Sequence, residues 1–454
     1  MAELHVWMNG ARVGVWFALR TGTPAFRYDA DWVRAPQARA LSLSLPITAH
    51  LEHRGAAVAH YFDNLLPDSR DIRRRLGARF RARSTDAFDL LSAIGRDCVG
   101  AVQLLPPGAQ PQGWNRVHSE PLTAEQVART LANVTSDTPL GRDTDDDAGF
   151  RISIAGAQEK TALLKIGNSW HRPLGATPTT HILKLPLGLV GNLRADMSDS
   201  VENEWLCAQL MAEFGIPMAG TEMAQFGAQK VLVVQRFDRR WQGAEPQAAS
   251  KARFKPPADA WIARLPQEDF CQALGVAPQH KYESDGGPSM HECLRVLGAS
   301  ARGEADGATF ALAQFAFWLL AATDGHAKNF SIRHRRGGAF ELTPLYDVLS
   351  AWPIIGSGAN QLPYEKARLA MALRATNAHY RLRDMQARHW QRLAASCGPA
   401  TWGRMLEMAQ SVEAVFARVE SRVPPGFPAR TWDAVQAGAV RHAQSFLRMA
   451  EGSQ

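Results

Sequence analysis

Thr323-Asp324-Gly325-His326-Ala327-Lys328-Asn329 is the stretch from which the rest of the chain can be read. A carboxylate, an imidazole and an amide crowd into it directly behind an apolar run, Phe310 to Ala321, that is predicted as a buried helix. Polar side chains held beside a core need partners or a task, because burying them unpaired is costly. On the C-terminal side, Phe330 to Arg333 and Ala339 to Leu342 are predicted as arms of a hairpin around a Gly337-Gly338 turn. The hairpin returns the chain to Leu345-Tyr346-Asp347. Alone, Asp347 reads as a helix cap; in this company it is a second candidate carboxylate.

On the N-terminal side the pattern changes at Arg151. Ile152-Ser153-Ile154 is predicted as a strand, followed by a small polar loop, Ala155-Gly156-Ala157-Gln158-Glu159-Lys160. Strands follow at Thr161 to Ile166 and at Thr180 to Leu185, the second carrying Lys184. An amphipathic helix runs from about Val201 to Phe214, with Asp199 and Glu202 at capping-box spacing and Gly215 and Pro217 as its stop. Val231 to Gln235 has the composition of a buried strand and ends in Arg236-Phe237-Asp238-Arg239. Transfer of a phosphoryl group needs these parts: loop amides for phosphate oxygens, a lysine for their charge, and a helix glutamate for the lysine. It also needs an aspartate to orient the attacking hydroxyl, and oxygen ligands for magnesium. Asp324 and Asn329 have the Asp-x-x-x-x-Asn spacing of catalytic base and metal ligand in protein-kinase catalytic loops. Each piece is weak alone. Ala155-Gly156-Ala157 has neither the Walker nor the GxGxxG pattern, and a strand lysine is commonly an exposed one. The order of the set, loop then lysine, glutamate, Asp-Asn and Asp, outweighs the individual bland readings.

Composition sets outer bounds. The chain has 454 residues, 46% hydrophobic and 21% charged, which suits two or three globular domains and disfavours global disorder. Lys and Arg number 51 against 44 Asp and Glu, a net charge of +7. A basic surface favours polyanions, but the basic residues are dispersed, and the densest groups are Arg73-Arg74-Arg75 and Arg333-His334-Arg335-Arg336. Five scattered cysteines with no CxxC pair argue against a disulfide framework or zinc site and fit a reducing cytoplasm. No signal peptide and no membrane span is expected; the apolar run Phe315 to Ala322 is too short to cross a bilayer.

Three domains are expected: 1–110, 150–265 and 266–450. The first opens with strands at Leu4 to Trp7 and Val13 to Trp16 around an Asn9-Gly10 turn. Helices follow near 56–64, 69–75 and 86–91, with a closing strand from Val99 to Leu105. Pro106 to Gly113 is a linker by composition, and Gly141 to Gly149, with four aspartates, is a solvated break. Trp241 to Ala260 reads as a loose insertion. From Gln267 the chain is expected to be helical apart from the single hairpin, ending in three helices between Asp384 and Met449.

At these residues the sequence resembles the HipA family, the serine/threonine kinase toxins of bacterial type II toxin–antitoxin pairs. Ser153 to Lys160 resembles the family's phosphate loop, His181-Ile182-Leu183-Lys184 its nucleotide-lysine strand, Asp324 to Phe330 its catalytic loop, and Pro344 to Asp347 its metal motif. Phe62-Asp63-Asn64-Leu65-Leu66-Pro67 and Ile94 to Ala101 are family-like as well, so the likeness covers nearly the whole chain. It implies an α+β fold: a kinase-like two-lobed core of the phosphoinositide-kinase type, a small N-terminal α/β domain and a helical C-terminal lobe. It implies Asp324 as catalytic base and Asn329 and Asp347 as magnesium ligands. Lys184 and the loop Ala155 to Lys160 would hold ATP phosphates, and the backbone from Gln235 to Phe237 would form the adenine hinge. Glu202 is the chosen partner of the lysine, with Glu204 nearly as good. His326 is as readily structural as catalytic. Ser153 is implied as an autophosphorylation site, where added negative charge would repel ATP phosphates and stop catalysis. The family often has asparagine shortly before the catalytic aspartate, where this chain has Ala322.

The implied partners are a dimeric HipB-like helix-turn-helix antitoxin, operator DNA mainly through that antitoxin, and a protein substrate such as an aminoacyl-tRNA synthetase. Two other readings compete. One is a catalytically weak corepressor that binds antitoxin and DNA, disfavoured because every catalytic residue type is present. The other is a small-molecule phosphotransferase, disfavoured by the family-like N-terminal segment.

Overall fold

The computed structural model describes residues 2–134, 158–244 and 254–452. The chain divides into two units: Met1–Leu185 with Ala224–Gln279 and Ile332–Phe340, and Pro186–Met223 with His280–Ser331 and Glu341–Gln454.

The first unit begins with an antiparallel sheet. Strand Glu3–Met8 alternates half-buried and buried positions, so Leu4, Val6 and Met8 share the core face. Asn9 (φ 45°) and Gly10 (φ 82°) turn the chain into strand Ala11–Ala18, both residues being in the left-handed region that a two-residue hairpin turn requires. Glycine has a second reason to stand at position 10: a Cβ there would fall 2.2 Å from the Trp114 ring. Strands Pro24–Tyr28, Glu52–Arg54 and Val102–Leu105 complete the five-stranded sheet. Helices Ala56–Asp63, Arg70–Phe80 and Ala87–Ile94 fall where the sequence predicts them, the second running a turn further. Trp16 joins them to the sheet, its ring stacked on Phe62 at 4.0 Å and tilted against Phe88 at 4.9 Å. The predicted closing strand is shorter than expected, because Gly100 at φ 71° bends the chain before Val102.

A six-stranded sheet contains Lys160–Ile166, His181–Lys184 and Gln229–Gln235, with His181–Lys184 between the other two. Helix Ala124–Val134 seals one face through Val127 and Leu131, packed with Leu163, Leu183, Val231 and Val233. The expected insertion from Trp241 is structured at its start: Arg239–Gln242 pairs with Trp261–Arg264.

In the second unit, helix Ser200–Glu213 lies one residue from its predicted start, but not through the predicted capping box. The Asp199 side chain makes no cap hydrogen bond and instead accepts one from Thr431 Oγ1 at 3.3 Å. Helices Met290–Gly298 and Gly303–Leu319 precede the Asp324 loop. The hairpin Ser331–His334 to Phe340–Leu342, most of which belongs to the first unit, forms where predicted. A second hairpin, Arg368–Arg374 with Ala378–Arg381, occupies a region expected to be helical. Its first strand, Arg-Leu-Ala-Met-Ala-Leu-Arg, is built of good helix formers, and tertiary burial of five consecutive residues overrides that propensity. Helices Ala387–Ala395, Thr401–Glu420 and Ala429–Glu451 are the three expected at the end. No helix among the described residues is long and apolar enough to cross a membrane.

His442 sits in the core of this unit, stacked on Trp318 at 4.4 Å. Its Nδ1 lies 2.7 Å from the Trp318 carbonyl and its Nε2 2.8 Å from Tyr364 Oη. The neutral ring satisfies both, with Nδ1–H donating and Nε2 accepting. Burial pushes its pKa down to about 4 from an ordinary 6.5. A histidine depressed in the fold supports stability fully above about pH 6.5, and that support is lost as pH falls through about 4. We expect a loss on the order of 3 kcal/mol from this group across that window. Urea midpoints measured at several pH values check it; a His442→Asn protein with an equally steep acid loss would contradict it.

Candidate active site

The loop around Asp324 is shaped by how the preceding helix ends. Ala321 takes φ 48°, a left-handed conformation unusual for alanine, and Ala322 N donates to Phe317 O at 2.7 Å. The helix's last carbonyls are capped from one other segment. Trp352 Nε1 donates to Leu319 O at 3.1 Å, Ser350 Oγ to Leu320 O at 2.6 Å, and Ala351 N to Ala321 O at 2.9 Å. Asn203 then clamps Ser350 from helix Ser200–Glu213, donating to its carbonyl at 2.8 Å and accepting from its N–H at 2.9 Å. Three segments that carry candidate residues are thus held to one another by buried polar groups. Gly325 has no room for a side chain, since a Cβ would stand 2.4 Å from the Phe317 ring.

Within the loop the Asp324 side chain is 62% exposed, so its carboxylate faces outward. Tyr282 Oη donates to its Oδ1 at 2.5 Å, and His326 Nε2 lies 4.0 Å from its Oδ2. His326 is buried, edge-on to the Tyr282 ring at 5.1 Å. Asn329 Nδ2 donates to the backbone carbonyl of Asp324 at 2.8 Å and reaches that of Asp347 at 3.5 Å. The amide nitrogen is therefore turned to the backbone, leaving Oδ1 as the atom that can meet a cation. Asp347 is not a helix cap. It stands at φ 62°, a left-handed conformation that aspartate tolerates better than most residues. Tyr346 Oη fixes its neighbourhood, donating to Lys328 O at 2.9 Å and sharing a hydrogen bond with Ser331 Oγ at 2.6 Å.

The second unit thus brings Asp324, His326, Asn329 and Asp347 to one locus, and Glu202 is buried beside Asn203 on the clamped helix. Lys184 belongs to the first unit. It is buried in the central strand, paired in register with Lys160 on one side and Leu232 on the other. Gln158 Nε2 donates to Leu185 O at 2.6 Å, and Glu159 is ion-paired with Arg75. Ser153, Ala155, Gly156 and Ala157 lie outside the described residues.

Gln235 and Phe237 flank the head of a buried charge network in the first unit. Arg236 is bidentate to Asp238, at 2.7 and 3.0 Å, and donates to Thr179 Oγ1 at 2.9 Å and Cys98 O at 2.8 Å. Arg239 donates to Asp97 Oδ1 at 2.9 Å and Gly100 O at 2.7 Å. Arg264 reaches the same Asp97 oxygen at 3.2 Å. Asp97 Oδ2 accepts from Thr179 N and Oγ1 at 3.0 and 2.7 Å. Burial alone would raise the Asp97 carboxyl; Arg239, Arg264 and Arg236 hold it well below the usual carboxylate range. The charged run 236–239 was conspicuous in the sequence after an apolar strand, yet its partners Asp97, Thr179 and Arg264 were not identifiable there. Tyr282 gave no local signal at all.

The donor chemistry suits magnesium. Among the described residues no three His, Cys, Asp or Glu side chains cluster as a self-sufficient metal site. One carboxylate, one amide oxygen and the oxygens of a bound phosphate and water are what a magnesium–nucleotide needs, and Asn329 and Asp347 are residues that could supply the protein's share.

Residues 4–105 match the HipA N-terminal domain family and residues 152–424 the HipA-like C-terminal domain family. The chain is 31% identical over 424 residues to "Putative kinase Y4mE" of Sinorhizobium fredii, covering 92% of this chain and 91% of that one. It is 27% identical over 348 residues to the serine/threonine-protein kinase toxin HipA of Shewanella oneidensis, covering 74% and 71%. A chain of the Shewanella oneidensis HipA, HipB and operator DNA complex superposes with a TM-score of 0.76 at 22% identity, over 99% of this chain and 98% of that one. The fold is accordingly α+β and kinase-like, of the two-lobed HipA type. With both family domains matched in order and a relative 31% identical over nearly the whole chain, the chain belongs to the HipA family.

Proposed function

We propose that this protein is an ATP- and magnesium-dependent serine/threonine protein kinase, acting as the toxin of a toxin–antitoxin pair. The observation that carries the reading is the Asn329 amide, hydrogen-bonded to the Asp324 carbonyl and directed to that of Asp347. It ties the backbone of the residue with the solvent-facing carboxylate to that of the candidate metal aspartate beyond the hairpin.

In this reading Asp324 accepts the hydrogen bond of the substrate hydroxyl and aligns it for in-line attack on the γ-phosphorus, taking up its proton as the new bond forms. Tyr282 holds the carboxylate in place, and buried His326 supports the loop. Asn329 Oδ1 and the Asp347 carboxylate would hold magnesium, which supplies charge neutralisation at the phosphates. Lys184 and the loop from Ala155 to Lys160 bind the phosphates, Gln235 to Phe237 the adenine edge, and Glu202 is the acidic candidate on the clamped helix. The substrate is a cellular protein, with an aminoacyl-tRNA synthetase as the candidate class. A HipB-like helix-turn-helix dimer and operator DNA are proposed partners, supported by the composition of the Shewanella oneidensis complex.

Labelled ATP and magnesium test this directly. Label should appear on Ser153 or on an added protein and should vanish in an Asp347→Asn protein. Preincubation with ATP should inactivate the wild type, and Ser153→Ala should resist it. Equal inactivation of both proteins would remove Ser153 from the account. A protein that forms the antitoxin–DNA complex but transfers no phosphate would be a corepressor instead.

A further inference from the structure

On the first unit lies a cavity of about 600 Å³, within the range of small-ligand clefts. Its lining is chemically one-sided. Arg39, Arg240, Arg333, Arg335 and Arg336 reach it, and no aspartate or glutamate does among the described residues. Arg264 and His334 also line it, but they are paired behind the wall with Asp97 and Glu268. Arg39, Arg240 and Arg336 have no carboxylate partner among the described residues. Burial and the neighbouring Arg336 charge both push the half-buried Arg39 guanidinium below its ordinary value. Like charges gathered around a concave surface repel one another, and a bound anion relieves the repulsion.

The rest of the lining includes an aromatic wall: Trp32, Trp114 and Trp261. These rings are held in place. Trp114 rests on Gly10 and meets Trp261 edge-on at 5.0 Å. Trp32 Nε1 donates to Arg39 O at 3.0 Å, which ties the aromatic wall to the basic one. Asn9 fixes the turn beneath them through a reciprocal pair of bonds to the Arg264 backbone, at 2.8 and 2.9 Å. Guanidinium forks match phosphate oxygens, and indole faces offer stacking surfaces to planar rings. We propose that this cavity is a second, non-catalytic ligand site that takes a small multiply phosphorylated nucleotide, phosphates among the arginines and base against the tryptophans.

The probe is mant-labelled adenosine 3′,5′-bisphosphate, titrated into the full-length protein while tryptophan emission is followed. One site per chain is expected, with quenching of tryptophan emission and displacement by inorganic triphosphate. Arg39→Ala/Arg336→Ala should weaken binding at least tenfold, whereas Lys184→Ala should not change it. Arg240→Glu, at an exposed position, gives the same readout without disturbing half-buried Arg39, should the double variant fail to fold. Three outcomes overturn the proposal: no saturable binding, binding that survives both arginine changes, or binding lost with Lys184 alone. Displacement by an eight-nucleotide strand at far lower concentrations, tightening with strand length, would also overturn it in favour of an extended nucleic-acid surface.

Discussion

Asp324→Asn is expected to lower the rate of phosphoryl transfer by about 10²–10⁴-fold, the range over which positioned acid–base groups act. The change is nearly isosteric and leaves the loop's shape alone. The loop is held by the Asp324 backbone carbonyl, which accepts from Asn329, and by the helix-end bonds from Trp352, Ser350 and Ala351. The side chain itself is 62% exposed. Stability should therefore stay within about 0.5 kcal/mol of wild type, as for other exposed positions. In the proposed mechanism what is lost is the negative charge that would receive the hydroxyl proton. Tyr282 Oη can still donate to the amide oxygen, so the side chain stays where it was while the chemistry disappears. The kinetic signature is a fall in kcat with KM for ATP little altered. Steady-state assays together with a urea titration check this. A variant that keeps wild-type kcat would remove Asp324 from the mechanism.

Asp97→Ala is expected to act in the opposite way, on the fold, at a cost of about 3–5 kcal/mol, the price typical of breaking a buried ion network from one side. Asp97 is the shared acceptor of Arg239 and Arg264, and Arg236 approaches its other oxygen at 3.5 Å. All three guanidinium groups are buried, at 1–2% side-chain exposure, so water cannot replace the lost carboxylate. Asp238 would then be left to answer Arg236 and Arg239, and Arg264 would lose its carboxylate. Thr179 would lose the acceptor for both its N–H and its hydroxyl. Because Arg236 and Arg239 bracket Phe237, a slackened network should also raise KM for ATP if the 235–237 backbone is the adenine hinge. Asp97→Asn should fall between, since an amide retains an acceptor oxygen but not the charge. Urea midpoints for the three proteins give the order; an Asp97→Ala protein as stable as wild type would show that the network contributes nothing net.

The two substitutions differ in how far each residue was identifiable in the sequence. Asp324 was, because catalytic loops are local: five residues set the spacing from Asp324 to Asn329, and the apolar helix before them announces burial. Helices in the first hundred residues and the three at the end were also readable, since hydrophobic period and breaker residues are local properties. The strand Arg368–Arg374 was not, because Leu, Ala and Met favour a helix and only packing of the finished fold makes the segment extended. The Asp199 cap failed for a related reason: the spacing was right, but Thr431, more than 200 positions away, takes the carboxylate.

By itself the sequence put forward the residues proposed to carry the chemistry, and their order, because motif spacing and hydrophobic pattern depend on near neighbours along the chain. Only the tertiary structure decided what holds them. It chose Asn203 to clamp Ser350, Tyr282 to meet Asp324, and Asp97 to gather three arginines. Those choices join groups dozens to more than a hundred residues apart, and the low-dielectric interior that makes such pairings matter exists only once the chain has folded.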